Sequence, residues 1–164
     1  MPIINILNKT SIQSLTIADV KDGDNLAKEL AKVLPMTAIK RLKLQSCRIS
    51  DEGALALAGM WKPLSTTDKV AKWLTWGAKE SGVEHLDLEY NRIGRLGALA
   101  LKKAFCENAC KSLVLRSNAI DRDTRKLLRA SSAPKCTILV DDEPEPNPLI
   151  LGFLFYLIGS GISQ

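Results

Sequence analysis

The sequence predicts an α/β solenoid: strand–turn–helix units stacked side by side, their strands joined in one parallel sheet. Three observations predict it. Gly53–Leu57 and Gly97–Leu101 both read GALAL, and each starts nine residues after the second leucine of an L-x-L triplet. L-x-L-like triplets recur at Leu15-Thr16-Ile17, Leu42-Lys43-Leu44, Leu86-Asp87-Leu88, Leu113-Val114-Leu115 and Ile138-Leu139-Val140, at steps of 27, 44, 27 and 25 residues. Three of them continue alike, as LKLQSCRI from Leu42, LDLEYNRI from Leu86 and LVLRSNAI from Leu113. Self-similarity at such a period marks stacked units, none of which buries its apolar face alone.

Each triplet reads as a short strand. Side chains alternate with period two, so the outer residues of a triplet share one face and point into a common core. The positions facing away are Arg41, Lys43 and Gln45; His85, Asp87 and Glu89; Val114 and Arg116; and Leu139. Backbone groups lose their ladder partners where a strand ends, and Asn91 and Asn118 stand there with side chains that both donate and accept. Cys47 holds the same position and bonds only weakly, so its turn is expected to be the less tightly held.

A helix follows each turn. Ser50, Gly94 and Asp121 occupy one repeat position, and each is an acceptable N-cap. Asp51 and Glu52 then put negative charge in a first helical turn, where the helix dipole favours it. Apolar residues recur with helical spacing at Leu26, Leu30 and Leu34, and again at Leu55, Leu57, Leu99 and Leu101. Small Ala54, Ala56, Ala58, Ala98, Ala100 and Ala104 allow close packing on the sheet. Residues 3–7, IINIL, are expected to form an N-terminal strand over the open end of the stack.

The unit L-x-L-x-x-N/C-x-I/L with a helix after it resembles the leucine-rich repeat family in its long, helix-bearing, ribonuclease-inhibitor-like form. The resemblance spans roughly residues 10–140 and is carried by three units. The first unit departs from it, with Val20 where Asn or Cys is expected and Asp22 at the following apolar position, as a cap or degenerate repeat would. The resemblance implies an α/β leucine-rich-repeat solenoid over residues 1–140, with a short curved parallel sheet of four or five strands and helices on its convex side. It also implies a non-enzymatic protein-interaction module or adaptor that binds a protein partner through the exposed strand positions. Those candidates are Arg41, Lys43, Gln45, His85, Asp87, Glu89 and Arg116. Lys43 beside Asp87, and Glu89 beside Arg116, are placed for lateral ion pairs that would reduce the pull of this face on a partner.

Two segments break the repeat. The 44-residue step holds an insertion over about residues 62–78, with a second helix predicted from Asp68. Trp61, Trp73 and Trp76 all fall in or beside it, and tryptophan either pins an added helix down or contacts a partner. Trp73 and Trp76 therefore join the candidate partner-binding residues. After Val140 come an acidic, proline-rich linker, DDEPEPNP at residues 141–148, and a hydrophobic C-terminal tail over residues 149–164. Leu149–Ile162 reads LILGFLFYLIGSGI without a charge. Pro148–Ser163 as a helix would span about 24 Å, short of a hydrocarbon core of roughly 30 Å. The tail is thus either a half-inserted membrane anchor or a cap on the apolar end of the solenoid.

Composition narrows the function. Hydrophobic residues at 46% and charged residues at 25% suit one folded domain in 164 residues. Lys111, Arg116, Arg122, Arg125, Lys126, Arg129 and Lys135 against Asp121 and Asp123 concentrate the equivalent of the whole net charge of +5 in the last full repeat. That stretch reads as a solvated helix or as a basic ridge for an anionic surface; nucleic acid is disfavoured because no aromatics interleave with the charges. Cys47, Cys106, Cys110 and Cys136 lack C-x-x-C spacing, and with the single His85 remote they read as reduced, buried thiols and not a zinc site. The start shows no signal-peptide pattern, and the expected location is cytoplasmic, with membrane association through the tail as the alternative. No G-x-S-x-G, phosphate loop or H-E-x-x-H is present, so no enzyme activity, cofactor or small-molecule substrate is expected. Small proteins of the resembling family also occur as secreted bacterial effectors, which remains the alternative to a resident adaptor.

Overall fold

The computed structural model describes residues 11–60, 82–108, 110–130 and 136–142. Within them, five strands form one wholly parallel sheet in chain order: β1 (Ser14–Ala18), β2 (Arg41–Gln45), β3 (His85–Asp87), β4 (Ser112–Val114) and β5 (Thr137–Leu139). Four helices alternate with them: α1 (Gly23–Val33, followed by a 3-10 turn at Leu34–Met36), α2 (Asp51–Gly59), α3 (Arg95–Glu107) and α4 (Arg122–Ala130). Successive helices pack on one another, so the molecule has a sheet layer and a helix layer. The predicted terminal strand at residues 3–7, the insertion at 62–78 and residues 143–164 lie outside the described residues.

Leucine sets the register. Leu15 pairs with Leu42, Leu42 with Leu86, Leu86 with Leu113 and Leu113 with Ile138. Leu42, Leu44, Leu86, Leu88, Leu113 and Leu115 are buried against Leu30, Leu57, Leu101 and Phe105 from the helices. A one-residue slip of any strand would turn these leucines to solvent, so burial itself fixes the alignment. One helical expectation fails. Leu57 and Leu101 are buried, but Leu55 is 49% exposed and its repeat equivalent Leu99 only partly buried. Two residues along a helix is a rotation of about 200°, so Leu55 and Leu57 cannot both face the sheet.

The strands end in a repeated kink. Asp19, Ser46, Tyr90 and Ser117 occupy one repeat position and all have φ between 54° and 58°. Left-handed backbone is uncommon outside glycine. Each of these amides donates forward to the next unit: Asp19 to Gln45 O (3.1 Å), Ser46 to Glu89 O (3.3 Å) and Tyr90 to Arg116 O (3.1 Å). At the last unit Ser117 N donates instead to the Asp141 carboxylate, at 3.0 and 2.9 Å. Asp141 thus closes the final rung, and Arg129 of α4 bonds the Asp141 carbonyl and reaches the Asp142 carboxylate at 3.4 Å. The acids after the array partly neutralise its basic last helix.

Carboxylates tie the helices together in a way that depends on glycine. Asp24 of α1 accepts from Ser50 N (2.8 Å), Ser50 Oγ (2.6 Å) and Gly53 N (2.9 Å), capping α2 from the neighbouring unit. Asp51 of α2 does the same for α3, accepting from Gly94 N (2.7 Å) and Gly97 N (2.9 Å), where Gly94 has no side chain with which to cap its own helix. A Cβ on Gly53 would stand 2.5 Å from Asp24 Oδ1, and one on Gly97 2.7 Å from both Asp51 Oδ1 and Ala54 Cβ. The G of each GALAL is therefore required by the carboxylate that reaches over it. The series ends at Arg95, and α4 caps itself through Asp121, which accepts from Thr124 N (2.9 Å) and Thr124 Oγ1 (2.7 Å). In the first unit Asp22 caps α1 through Asn25 N at 3.4 Å, while Val20 packs partly buried on the core.

Burial alone would push the Asp24 carboxyl up. The hydrogen bonds from Ser50 and Gly53, with Lys28 nearby, outweigh it and hold the carboxyl below the ordinary aspartate value. A depressed folded pKa adds stability that is present above the unfolded value of about 3.9 and lost as pH falls through it towards the folded value. Between about pH 5 and about pH 3 the urea midpoint of the wild type should fall. Asp24→Asn should start lower and decline less steeply. Parallel curves for the two proteins would contradict this role for Asp24.

Candidate functional site

The strand residues that face away from the helices line a shallow groove of about 310 Å³, running across β1 to β4. Its walls come from Ser14 and Thr16 on β1, Arg41 and Lys43 on β2, His85 and Asp87 on β3, and Ser112 and Val114 on β4. Parallel pairing places these side chains in rows. Ser14, Arg41, His85, Ser112 and Thr137 form one, and Thr16, Lys43, Asp87, Val114 and Leu139 the next. The alternation that buries the leucines leaves Arg41 exposed and Lys43, His85, Asp87 and Val114 half-buried.

Of the two lateral ion pairs expected, one forms. Lys43 Nζ lies 2.9 Å from Asp87 Oδ2, and the hydrogen bond and charge of Asp87 raise the lysine pKa above its ordinary value. Asp87 Oδ1 also accepts from Glu89 N at 3.0 Å, which fixes the carboxylate in the row. The second pair is absent: among the described residues no ion pair joins Glu89 to Arg116. These two lie beyond the ends of β3 and β4, immediately before the kinks at Tyr90 and Ser117, where the regular side-by-side alignment of the strands has ended. Gln45 closes β2 in the same region, half-buried, with its carbonyl accepting from Asp19 N.

A second charged group was not legible as a site in the sequence. Glu84, at the N-terminal rim of the sheet, bonds Lys111 at 2.5 Å and Lys40 at 3.4 Å. Hydrogen bonds from Lys111 first and Lys40 second hold its carboxyl below the ordinary glutamate range. All three residues stand two positions before the first leucine of their strands, so aligning the units on the leucines reveals the row. The same alignment would have found Ser14, Ser112 and Thr137 beside Arg41 and His85.

Trp73 and Trp76 lie outside the described residues. The four cysteines are free thiols. Burial, with Cys136 and Glu84 nearby, pushes the Cys110 thiol up to about 12, and burial also raises Cys47 and Cys136. Protonated thiols are poor metal ligands and poor nucleophiles. Among the described residues no three His, Cys, Asp or Glu side chains are arranged to hold a metal ion, and no helix is long and apolar enough to cross a membrane.

Comparison with known proteins agrees with this geometry. A family model described as Leucine Rich repeat matches residues 37–58 and 83–102, the units of β2 and β3. A search of curated proteins returns no match. Among solved structures the chain is similar to leiomodin-1 actin-binding site 2, with a TM-score of 0.61 over 93% of this chain and 85% of that one. Sequence identity is 17%, so the likeness is one of fold.

Proposed function

We propose that this chain, a leucine-rich-repeat protein, is a non-catalytic binding module that takes a protein partner on its outward strand face. The observation that carries the reading is the groove: a rigid parallel sheet presents fixed rows of polar side chains there, while its leucines are committed to the core. Leucine-rich-repeat domains generally mediate protein–protein interaction, and the leiomodin-1 fragment is by its own title a binding site for a protein. Arg41, Lys43, Gln45, His85, Asp87, Glu89 and Arg116 form the proposed surface, and Trp73 and Trp76 of the insertion are proposed as further partner contacts.

The Lys43–Asp87 pair offers the test. It is partly solvent-exposed, so reversing one member should cost the fold no more than about 1 kcal/mol. Proteins that co-purify with the wild-type chain should be retained at least about tenfold less by Lys43→Glu and by Asp87→Lys, with the urea midpoint lowered by no more than that cost implies. Retention at wild-type levels by both variants would remove this face as the site.

A second reading adds a location: a membrane-tethered adaptor held by Leu149–Ile162. The uncharged apolar run behind a proline-rich spacer favours it. Full-length chain should then float with liposomes, and a variant lacking residues 147–164 should not. A full-length chain that stays in the soluble fraction would eliminate the tether.

A further inference from the structure

We propose that the first row of the outward sheet face is a carboxylate-binding strip centred on Arg41, onto which the partner docks an acidic stretch of its own chain. The proposal rests on the sheet-face reading above and names the chemistry of what binds there. Strand register brings Ser14, Arg41, His85, Ser112 and Thr137 into line across the five strands. At roughly 4.8 Å between strands the row is about 19 Å long. It contains hydroxyls, an imidazole and a guanidinium, and no acid. Arg41 is exposed, and among the described residues no carboxylate pairs with it.

The neighbouring rows make this strip the positive part of the face. On the rim side, Lys40 and Lys111 share the single carboxylate of Glu84, leaving one ammonium charge in excess. On the other side, Lys43 is matched by Asp87 at 2.9 Å. Further along, Glu89 stands without an ion-pair partner among the described residues. The Arg41 edge therefore carries net positive charge, while at the other edge the one cation, Arg116, stands with two acids, Glu89 and Asp141. A partner meeting this surface is guided to lay its acids along the Arg41 edge.

A carboxylate suits the site for two reasons. The guanidinium fork matches a carboxylate in plane and can bond it through two parallel N–H groups, with the Ser14 hydroxyl on the adjacent strand available to add a donor. Glu84 and Asp87 flank the strip on either side, so a densely charged polyanion as broad as a nucleic-acid backbone would meet repulsion beside it. An extended peptide places same-face side chains about 6.8 Å apart, and its acids can meet Arg41 and the lysine rim while missing the two fixed carboxylates.

The test uses full-length protein and fluorescein-labelled peptides of alternating glutamate and serine, with glutamine–serine peptides and oligothymidine as comparison probes, read by anisotropy. The glutamate peptide should bind at least about tenfold more tightly than the glutamine peptide. Raising the salt from about 0.05 to about 0.3 M should weaken it. Arg41→Glu should lose at least about tenfold in affinity, Arg41→Lys should keep part of it, and Lys103→Glu on the helix side should change it less than about twofold. Equal losses in Arg41→Glu and Lys103→Glu would show attraction to net charge alone and overturn the strip. So would equal binding of the two peptides, or tighter binding of oligothymidine. The two readings fail separately: if the strip is overturned while Lys43→Glu and Asp87→Lys still lose the co-purifying proteins, the sheet face stands with a different partner chemistry. If those variants retain their partners, the face itself falls.

Discussion

Asn91 is a buried polar side chain that makes five hydrogen bonds at the end of the sheet. Its Oδ1 accepts from Cys47 N and Ile49 N, each at 3.0 Å, in the preceding unit. Its Nδ2 donates to Leu44 O at 2.7 Å across the unit boundary, and to Leu88 O and Glu89 O within its own. One amide thus satisfies the backbone groups that two neighbouring strands leave behind as the chain turns towards its helix. Asn118 repeats the pattern, accepting from Ile93 N at 3.0 Å and donating to Leu88 O at 2.9 Å. Cys47, in the same position, donates its thiol to Gln45 O at 3.2 Å and Ile17 O at 3.6 Å, and has no oxygen with which to accept from the preceding turn. Leucine burial sets the register; without these bonds the strand ends would be buried unpaired, and the turns that carry the chain from the outward rows to the helices would lose their fixed geometry.

Most of the fold was legible because its signals are local. L-x-L needs only period two to assign a face, and the asparagine needs only its place after the strand. The features that sequence reading missed join residues far apart. Asp24 caps Ser50 and Gly53, and Asp51 caps Gly94 and Gly97, across separations of 26 to 46 residues. The recurring glycine was visible as a pattern, but its cause was the neighbouring carboxylate. Leu55 and Leu57 were grouped in one helical spacing, although residues two apart on a helix point to different sides and only Leu57 is buried.

The candidate surface was legible in membership and less so in electrostatics. Alternation alone named Arg41, Lys43, His85 and Asp87, and all four line the groove. Alternation does not say which opposite charges come within reach. Lys43 and Asp87 do, since they are aligned partners inside regular strands. Glu89 and Arg116 do not, since the strands have ended before them. The uneven pairing is what gives the face its polarity: a matched pair in the middle, a net cationic edge on one side, and on the other Arg116 with the acids Glu89 and Asp141.

Amide hydrogen exchange on the wild type and Asn91→Ala tests the account most directly. Removing the side chain leaves the Cys47 and Ile49 amides without their acceptor, at a cost of about 1–3 kcal/mol for each buried group left unsatisfied. The account predicts that these two amides lose protection in Asn91→Ala beyond the general loss shared by Leu42 and Leu44 in the middle of β2. Protection at Cys47 and Ile49 that tracks Leu42 and Leu44 in both proteins would contradict it, and the asparagine would then not be what secures the strand ends between units.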